Sequence, residues 1–300
     1  MSKHLQTSHL DPLKHADSVA EFSSYFRLPD KKADLDYLRE ILDHFSTIPY
    51  ENISKITKLN QNWQDQGGRV RLPEEVINGH IAKGLGGTCF SLTFFLQSIL
   101  AQNGFTCYPV MADMRAGNNI HCCLIVKLDG QKYLVDPGYL LTQPMEINPI
   151  KPRHYRNEFS GVHLQFDAPA GVYNLFTFNK SESKWRYRFR DRAVPPEEFL
   201  QHWLASFGWN SMHAICLTKV MKDGLLYFRK DFMRETTFNG KRNFNVKKNS
   251  PAVIRDRFGI DEQTVEQAQA ALEDNLRTEM KLGLWIPNKK RCFEPANTDE

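Results

Sequence analysis

Apolar residues recur at helical spacing in the first third of the chain. Between 33 and 45, Leu35, Leu38, Ile41, Leu42 and Phe45 fall on one face of a 3.6-residue repeat and predict a helix that Pro49 ends. A second helical stretch starts at Pro73 and runs through Val76, Ile77 and Ile81 to a break at Gly84-Leu85-Gly86-Gly87. Thr88 then suits an N-cap, and Leu92, Phe95, Leu96, Ile99 and Leu100 predict an amphipathic helix with Gly104 as its C′ residue. From 105 to about 189 the pattern changes to β-rich runs, among them 121–128, 133–135 and 185–189. The remainder mixes a helix over 196–207, strands over 214–220 and 225–230, and a helix over 261–274. An α+β chain in three stretches is therefore expected: helical over 1–104, mainly β over 105–203, and mixed over 204–300. The first twenty residues show no sustained pattern and read as a loosely ordered extension.

Composition changes this picture little. The chain is 41% hydrophobic and 25% charged, with a formal net charge of +4, which is ordinary for a globular protein. Its basic residues are scattered, so no nucleic-acid partner is expected. The nearest thing to a cluster, Lys241-Arg242 with Lys247-Lys248, reads as a solvated hairpin. No apolar run is long enough to span a bilayer and no apolar stretch follows the polar residues 1–16, so neither a membrane partner nor a secretory leader is expected. Six cysteines, two of them adjacent at Cys122-Cys123, show neither a disulfide framework nor zinc-ligand spacing. The reading is a cytoplasmic protein with reduced thiols and no metal.

One thiol stands apart. Cys89 follows two glycines and a capping threonine, which puts it in the first turn of a helix, where backbone N–H groups and the helix dipole favour a thiolate. A free cysteine is more often a small buried hydrophobe, a reading that suits Cys107, Cys216 and Cys292 better. A thiolate nucleophile needs a base, and His121 opens an apolar strand that turns at Asp129-Gly130, a strong two-residue hairpin signal. With those two residues as the turn, Asp136 falls opposite Cys123, on the same face as His121 and one diagonal step away. Diagonal neighbours lie ~7–8 Å apart, within reach for an imidazole and a carboxylate. A one-residue slip in register would place them on opposite faces. Taken singly, His121 could be an ordinary histidine and Asp136 a turn aspartate before Pro137; together with Cys89 they form a candidate nucleophile, base and orienting acid.

These residues resemble a known family. Gly86-Gly87-Thr88-Cys89-Phe90 is similar to the Arg-Gly-Gly-x-Cys-Phe motif of the arylamine N-acetyltransferases, and Ile48-Pro49-Tyr50-Glu51-Asn52 to their Ile-Pro-Phe-Glu-Asn. Leu134-Val135-Asp136-Pro137-Gly138-Tyr139 resembles their Leu-Val-Asp-Val-Gly-Phe. Ser24-Tyr25-Phe26-Arg27-Leu28 and Arg257-Phe258-Gly259-Ile260 look like their first and last signatures. The resemblance implies a papain-like (cysteine proteinase-like) core: a helical bundle carrying the cysteine, a β-barrel carrying the histidine and aspartate, and an α/β lid. It also implies ping-pong acetyl transfer from acetyl-coenzyme A, through a Cys89 thioester, to an aromatic amine, hydrazine or hydroxylamine. Phe90, Gly138 and Tyr139 become candidate substrate contacts, with Phe90 packing beneath the nucleophile and Tyr139 on the acceptor side, although both are equally explained as core aromatics. The residues that would hold coenzyme A are left open.

The departures are specific. Leu85 stands where the family has arginine, so a charged group behind the nucleophile helix is expected to be lost. Ser91 and Thr93 replace the motif's Glu and Asn, Leu140 replaces a second glycine after the aspartate, and the interval from Cys89 to His121 is short for the family. Two other readings follow: a related Cys–His–Asp amide synthase or hydrolase using another acyl donor, or a degenerate member without catalysis.

Overall fold

The computed structural model describes residues 7–138 and 141–285. Its helical part comprises α1 (Ala16–Phe26), α2 (Leu35–Phe45), α3 (Ile53–Gln61), the short α4 (Gln66–Arg69), α5 (Pro73–Lys83) and α6 (Cys89–Gln102), with a two-residue strand β1 (Tyr50–Glu51) between α2 and α3. Asp34 caps α2 by accepting from the Tyr37 N–H at 2.8 Å, and its buried face is the set Leu38, Ile41, Leu42 and Phe45 read from the sequence. The expected loose N-terminus is instead structured from Thr7 onward, and α1 buries Val19 and Phe22 against α2 and α6. Two buried apolar residues among serines and acids are too few to announce that helix locally; burial in a shared core holds it.

The helix α6 is not amphipathic. From Cys89 to Leu100 every residue but Gln97 is buried, including Ser91, Thr93 and Ser98, so α6 is the central helix around which the others pack. Thr88 occupies the N-cap without a side-chain cap bond; the nearby Ser91 hydroxyl donates to the Thr88 carbonyl at 3.1 Å. Gly104 (φ +82°) follows the helix in the left-handed conformation that suits glycine.

A long antiparallel sheet follows: β2 (Thr106–Met114), β3 (Gly117–Leu128), β4 (Gln131–Val135), β5 (Met145–Glu146), β6 (Arg153–Arg156), β7 (Gly161–Asp167), β8 (Val172–Phe178) and β9 (Ser183–Phe189). The strand order β5-β4-β3-β2-β9-β8-β7-β6 wraps into a barrel-like layer around Val110, Ile125, Leu134, Leu164, Leu175 and Tyr187. Asp129 (φ 48°) and Gly130 (φ 76°) make the tight turn between β3 and β4, and both positive φ values match a type I′ hairpin. Its register pairs Leu128 with Gln131 and Leu124 with Val135. The next positions along are Cys123 and Asp136, the expected facing pair.

The helix α7 (Pro196–Ala205) leads to β10 (Cys216–Met221), β11 (Gly224–Arg229), β12 (Phe232–Thr237) and β13 (Gly240–Asn245), then α8 (Ser250–Phe258) and α9 (Glu262–Lys281). This second sheet has the order β1-β10-β11-β12-β13, so its edge strand comes from residues 50–51. One apolar cluster contains Ile53, Cys89, Cys122, Trp203, Leu217 and Phe258. The barrel strands end at Phe189, and this cluster draws on residues from all three sequence stretches, while the cluster inside the barrel-like sheet belongs to residues 110–189 alone. Lys241 and Arg242 are exposed on the β12–β13 hairpin.

Candidate active site

The segment Ile48–Asn52 and the glycines before Cys89 are one structural unit. The Glu51 N–H donates to the Gly87 carbonyl at 2.9 Å, the Gly87 N–H to the Pro49 carbonyl at 3.3 Å, and Tyr50 bridges Gly87 in parallel. A Cβ on Gly86 would lie 1.7 Å from the Pro49 carbonyl oxygen, so only glycine permits this approach. Asn52 fastens the unit to the second sheet. Its amide donates to the carbonyls of Ser211 (3.0 Å) and Ala214 (2.8 Å), and its side-chain oxygen accepts from the Cys216 N–H at 2.8 Å. Cys89 is thereby presented as the first residue of α6, 7% exposed.

The hairpin delivers the partners. His121 Nε2 lies 2.9 Å from Asp136 Oδ2 and 3.1 Å from Oδ1, with Asp136 fully buried and His121 3% exposed. This leaves Nδ1 for the Cys89 thiol, with which the ring is hydrogen-bonded. Asp136 also accepts from the Gly138 N–H at 3.0 Å, and the Leu141 N–H donates to its carbonyl at 3.1 Å. The ring of Tyr187 lies 4.9 Å from that of His121. Gly138 closes over the group: a Cβ there would sit 2.6 Å from His121 Cε1 and 3.0 Å from Cys89 Cβ.

Electrostatics favours a thiolate–imidazolium pair. A hydrogen bond from the Cys122 thiol is the largest influence on Cys89; with the His121 bond and charge and the Lys55 charge it outweighs burial and holds Cys89 well below the usual thiol range. Burial alone would lower His121, but the charge and hydrogen bond of Asp136, joined by those of Cys89, push it up to about 10. Cys122 is correspondingly pushed up, first by burial and then by Cys89. Its thiol lies 3.5 Å from the Thr93 hydroxyl, one turn along α6 from Cys89, and that hydroxyl donates to the Cys122 carbonyl at 3.4 Å.

The charge expected to be lost with Leu85 is present after all, supplied by Arg71. Its side chain is 8% exposed; Nη1 bonds to the Gly86 carbonyl, to Ser54 Oγ at 3.1 Å and to Glu51 Oε1 at 3.4 Å, and Nη2 donates to the Glu75 carbonyl at 2.6 Å. Glu51, fully buried, also accepts from the Ser54 N–H (2.8 Å) and hydroxyl (2.6 Å). No local spacing announces Arg71; the only signal is that a buried Glu51 must be matched by a cation.

Lys55 is the second residue that sequence reading missed. It is 7% exposed, donates to Ser206 Oγ at 2.5 Å and to the Ser206 carbonyl at 3.2 Å, and lies over the rings of Phe207 (4.6 Å) and Trp209 (5.7 Å). Trp209 in turn packs on Phe90, whose ring has no exposed surface and meets Phe199 edge-on and Trp203 in a stack. Phe90 therefore belongs to an aromatic wall behind the nucleophile; direct substrate contact would require that wall to open. Gly138 lies against His121 and Cys89 themselves, and Tyr139 falls outside the described residues. A cavity of about 370 Å³ elsewhere in the chain is lined by Met111, Asp113, Phe189, Arg188, Arg190 and Arg192 among others. Its lining residue Phe189 pairs with Ala112, whose partner on the other side is His121.

A buried cysteine at a helix start, a histidine and an aspartate on an adjoining hairpin, and an α/β cover define an α+β protein of the Cys–His–Asp, papain-like class. The model of the N-acetyltransferase family matches residues 34–267, and the chain belongs to the arylamine N-acetyltransferase family as a divergent member. It is 27% identical over 170 residues to proansamycin X synthase of Amycolatopsis mediterranei (51% of this chain, 63% of that protein), and 27% identical over 191 residues to arylamine N-acetyltransferase 1 of Oryctolagus cuniculus (58% and 57%). The matched stretch thus spans about three fifths of those relatives' lengths. The fold is similar to that of arylamine N-acetyltransferase from Mycobacterium abscessus (TM-score 0.74, 16% identity, 88% of this chain and 98% of that one). It is also similar to the Mycobacterium marinum arylamine N-acetyltransferase solved in complex with CoA (TM-score 0.70, 16% identity, 85% and 98%).

Proposed function

We propose that the protein transfers an acetyl group from acetyl-coenzyme A to an aromatic amine, hydrazine or hydroxylamine by a ping-pong route through Cys89. The observation that carries this reading is the buried chain from Cys89 through His121 to Asp136, with the thiol held low and the imidazole held high. The thiolate attacks the thioester carbonyl, and the C–S bond to coenzyme A breaks as His121 gives its proton to the leaving sulfur. The acceptor amine then attacks the Cys89 thioester, His121 takes the amine proton, and the Cys89 thiolate departs. Asp136 fixes the ring orientation throughout. The low exposure of Cys89 and His121 favours transfer over hydrolysis, since a shielded thioester survives until the amine arrives. The arginines of the 370 Å³ cavity suit the phosphates of coenzyme A. The described cysteines are free thiols, in keeping with a cytoplasmic setting.

Intact-protein mass spectrometry after brief exposure to acetyl-coenzyme A without acceptor tests the proposal. One acetyl group on the wild type and none on Cys89→Ala, discharged by an arylhydrazine, is the expected result. Peptidase turnover with no amine acetylation would overturn it.

A further inference from the structure

The two faces of the second sheet differ in kind. Along β11 and β12 the side chains alternate: Leu226, Phe228 and Met233 join the apolar cluster that contains Cys89, and Tyr227, Arg229, Phe232 and Arg234 lie on the opposite face. The antiparallel register sets Tyr227 against Arg234 and Arg229 against Phe232, so ring and guanidinium alternate both along and across the strands. With Lys230 of the turn and the segment 210–214, these four residues line a cavity of about 670 Å³, within the size range of small-molecule sites.

The cations of this groove are not spent within the fold. Among the described residues none of the three is in an ion pair: Glu235 of β12 belongs to the inner face and pairs with Arg257, and Glu279 pairs with His213 at 2.7 Å. Asp231 is the single carboxylate among the lining residues. Arg234 is held in place, its Nε donating to Asn243 Oδ1 at 2.9 Å and its guanidinium 5.0 Å from the centre of the Phe232 ring. Lys230 has φ 59°, a left-handed conformation that strains a lysine and would suit glycine. The turn keeps a cation at the groove in spite of that strain, and such strained positions gather at functional sites.

Three cations against one carboxylate call for a ligand with more than one negative charge, and the forked guanidiniums suit phosphate oxygens. Aromatic rings at neighbouring positions suit a planar base beside those phosphates. We infer that this groove is a second binding site, separate from the acyl-transfer centre, for a nucleotide that carries a diphosphate. The sheet itself stands between the groove and Cys89, and the groove shares no lining residue with the 370 Å³ arginine cavity. The inference does not rest on the acyl-transfer reading.

Isothermal titration calorimetry with ADP tests the site. ADP should bind one to one, and about tenfold or more tighter than adenosine or pyrophosphate, because base and phosphates are both engaged. Arg229→Met and Arg234→Met should each weaken ADP by about tenfold or more, the worth of one charge-assisted contact. Lys230→Gly should also weaken it while the Tm does not fall, since glycine relieves the turn; a merely structural lysine would give the reverse. The nucleotide of the acyl donor carries the same chemistry, so a second arm separates the two sources. It measures Cys89 acylation by acetyl-coenzyme A relative to S-acetylpantetheine, which lacks the nucleotide. That ratio should be the same in Arg229→Met as in the wild type; a fall would make the groove part of the donor site and overturn its separateness. Calorimetry needs no turnover, so it decides the groove even if no thioester acylates Cys89. No binding of ADP, or an affinity unchanged in all three variants, overturns the inference.

Discussion

Arg71 and Glu51 face each other at 3.4 Å behind the helix that carries Cys89, although the residue preceding the glycine pair is Leu85. Gly79 shows how close the two positions are: a Cβ there would lie 2.2 Å from Arg71 Nη2 and 3.6 Å from Leu85 Cβ. The guanidinium reaches the Gly86 carbonyl from another part of the chain.

Removing Arg71 should leave Glu51 charged, buried and short of a cation. Arg71→Leu is expected to cost roughly 3–5 kcal/mol in urea unfolding, the usual penalty for breaking a buried pair. Adding Leu85→Arg to that variant should recover part of the loss, because the two side chains occupy neighbouring space. No recovery, with the first variant near wild-type stability, would show that the pair is not what holds this segment.

Gly138 has no room for a methyl group. Gly138→Ala must displace the His121 ring or the Cys89 backbone, and a shift near 1 Å at reacting groups costs about 10²-fold in rate. Single-turnover acylation should fall by that order while far-ultraviolet circular dichroism is unchanged. A rate within twofold of the wild type would contradict the packing described.

The pKa directions fix a pH profile. Cys89 is lowered, so its thiolate is present well below the ordinary thiol range, and His121 is raised to about 10, so its proton stays until then. Alkylation of Cys89 by iodoacetamide should be flat across roughly pH 6 to 9, where an ordinary thiol would rise about tenfold per unit up to its pKa of ~8.5. Asp136→Asn removes the first of the influences that raise His121, so the upper limb should move to lower pH. Turnover should fall by roughly 10³–10⁴-fold, as when the acid of a comparable triad is neutralised.

Cys122 should act on Cys89 through its thiol proton. In Cys122→Ala the alkylation profile is expected to shift upward in pH, since the largest lowering influence on Cys89 is removed. Cys122→Ser, which keeps a donor beside Thr93, should move it back. Identical profiles for Ala, Ser and wild type would exclude the thiol from any part in tuning the nucleophile.

Much of the candidate site was legible because short-range rules govern it. Glycines followed by a helical apolar run place Cys89 at a helix start, and a two-residue turn with positive φ sets the register that brings Asp136 to the face of His121. The family motifs gained a physical meaning only from the fold: Gly86 is demanded by the Pro49 carbonyl, and Asn52 by three backbone groups of the segment 211–216. By itself the sequence determined the helix, the hairpin and the three side chains, Cys89, His121 and Asp136, that they bring together, since helical and strand periodicities fix neighbours a few positions apart. Only the tertiary structure decided that α1 is ordered, that α6 is enclosed on all sides, that Arg71 bonds to the Gly86 carbonyl and that Lys55 is buried against Ser206. Lys55 meets Ser206 across 151 positions, and no periodicity reaches so far. Which charge is buried beside which is settled by the packing of distant segments into one core.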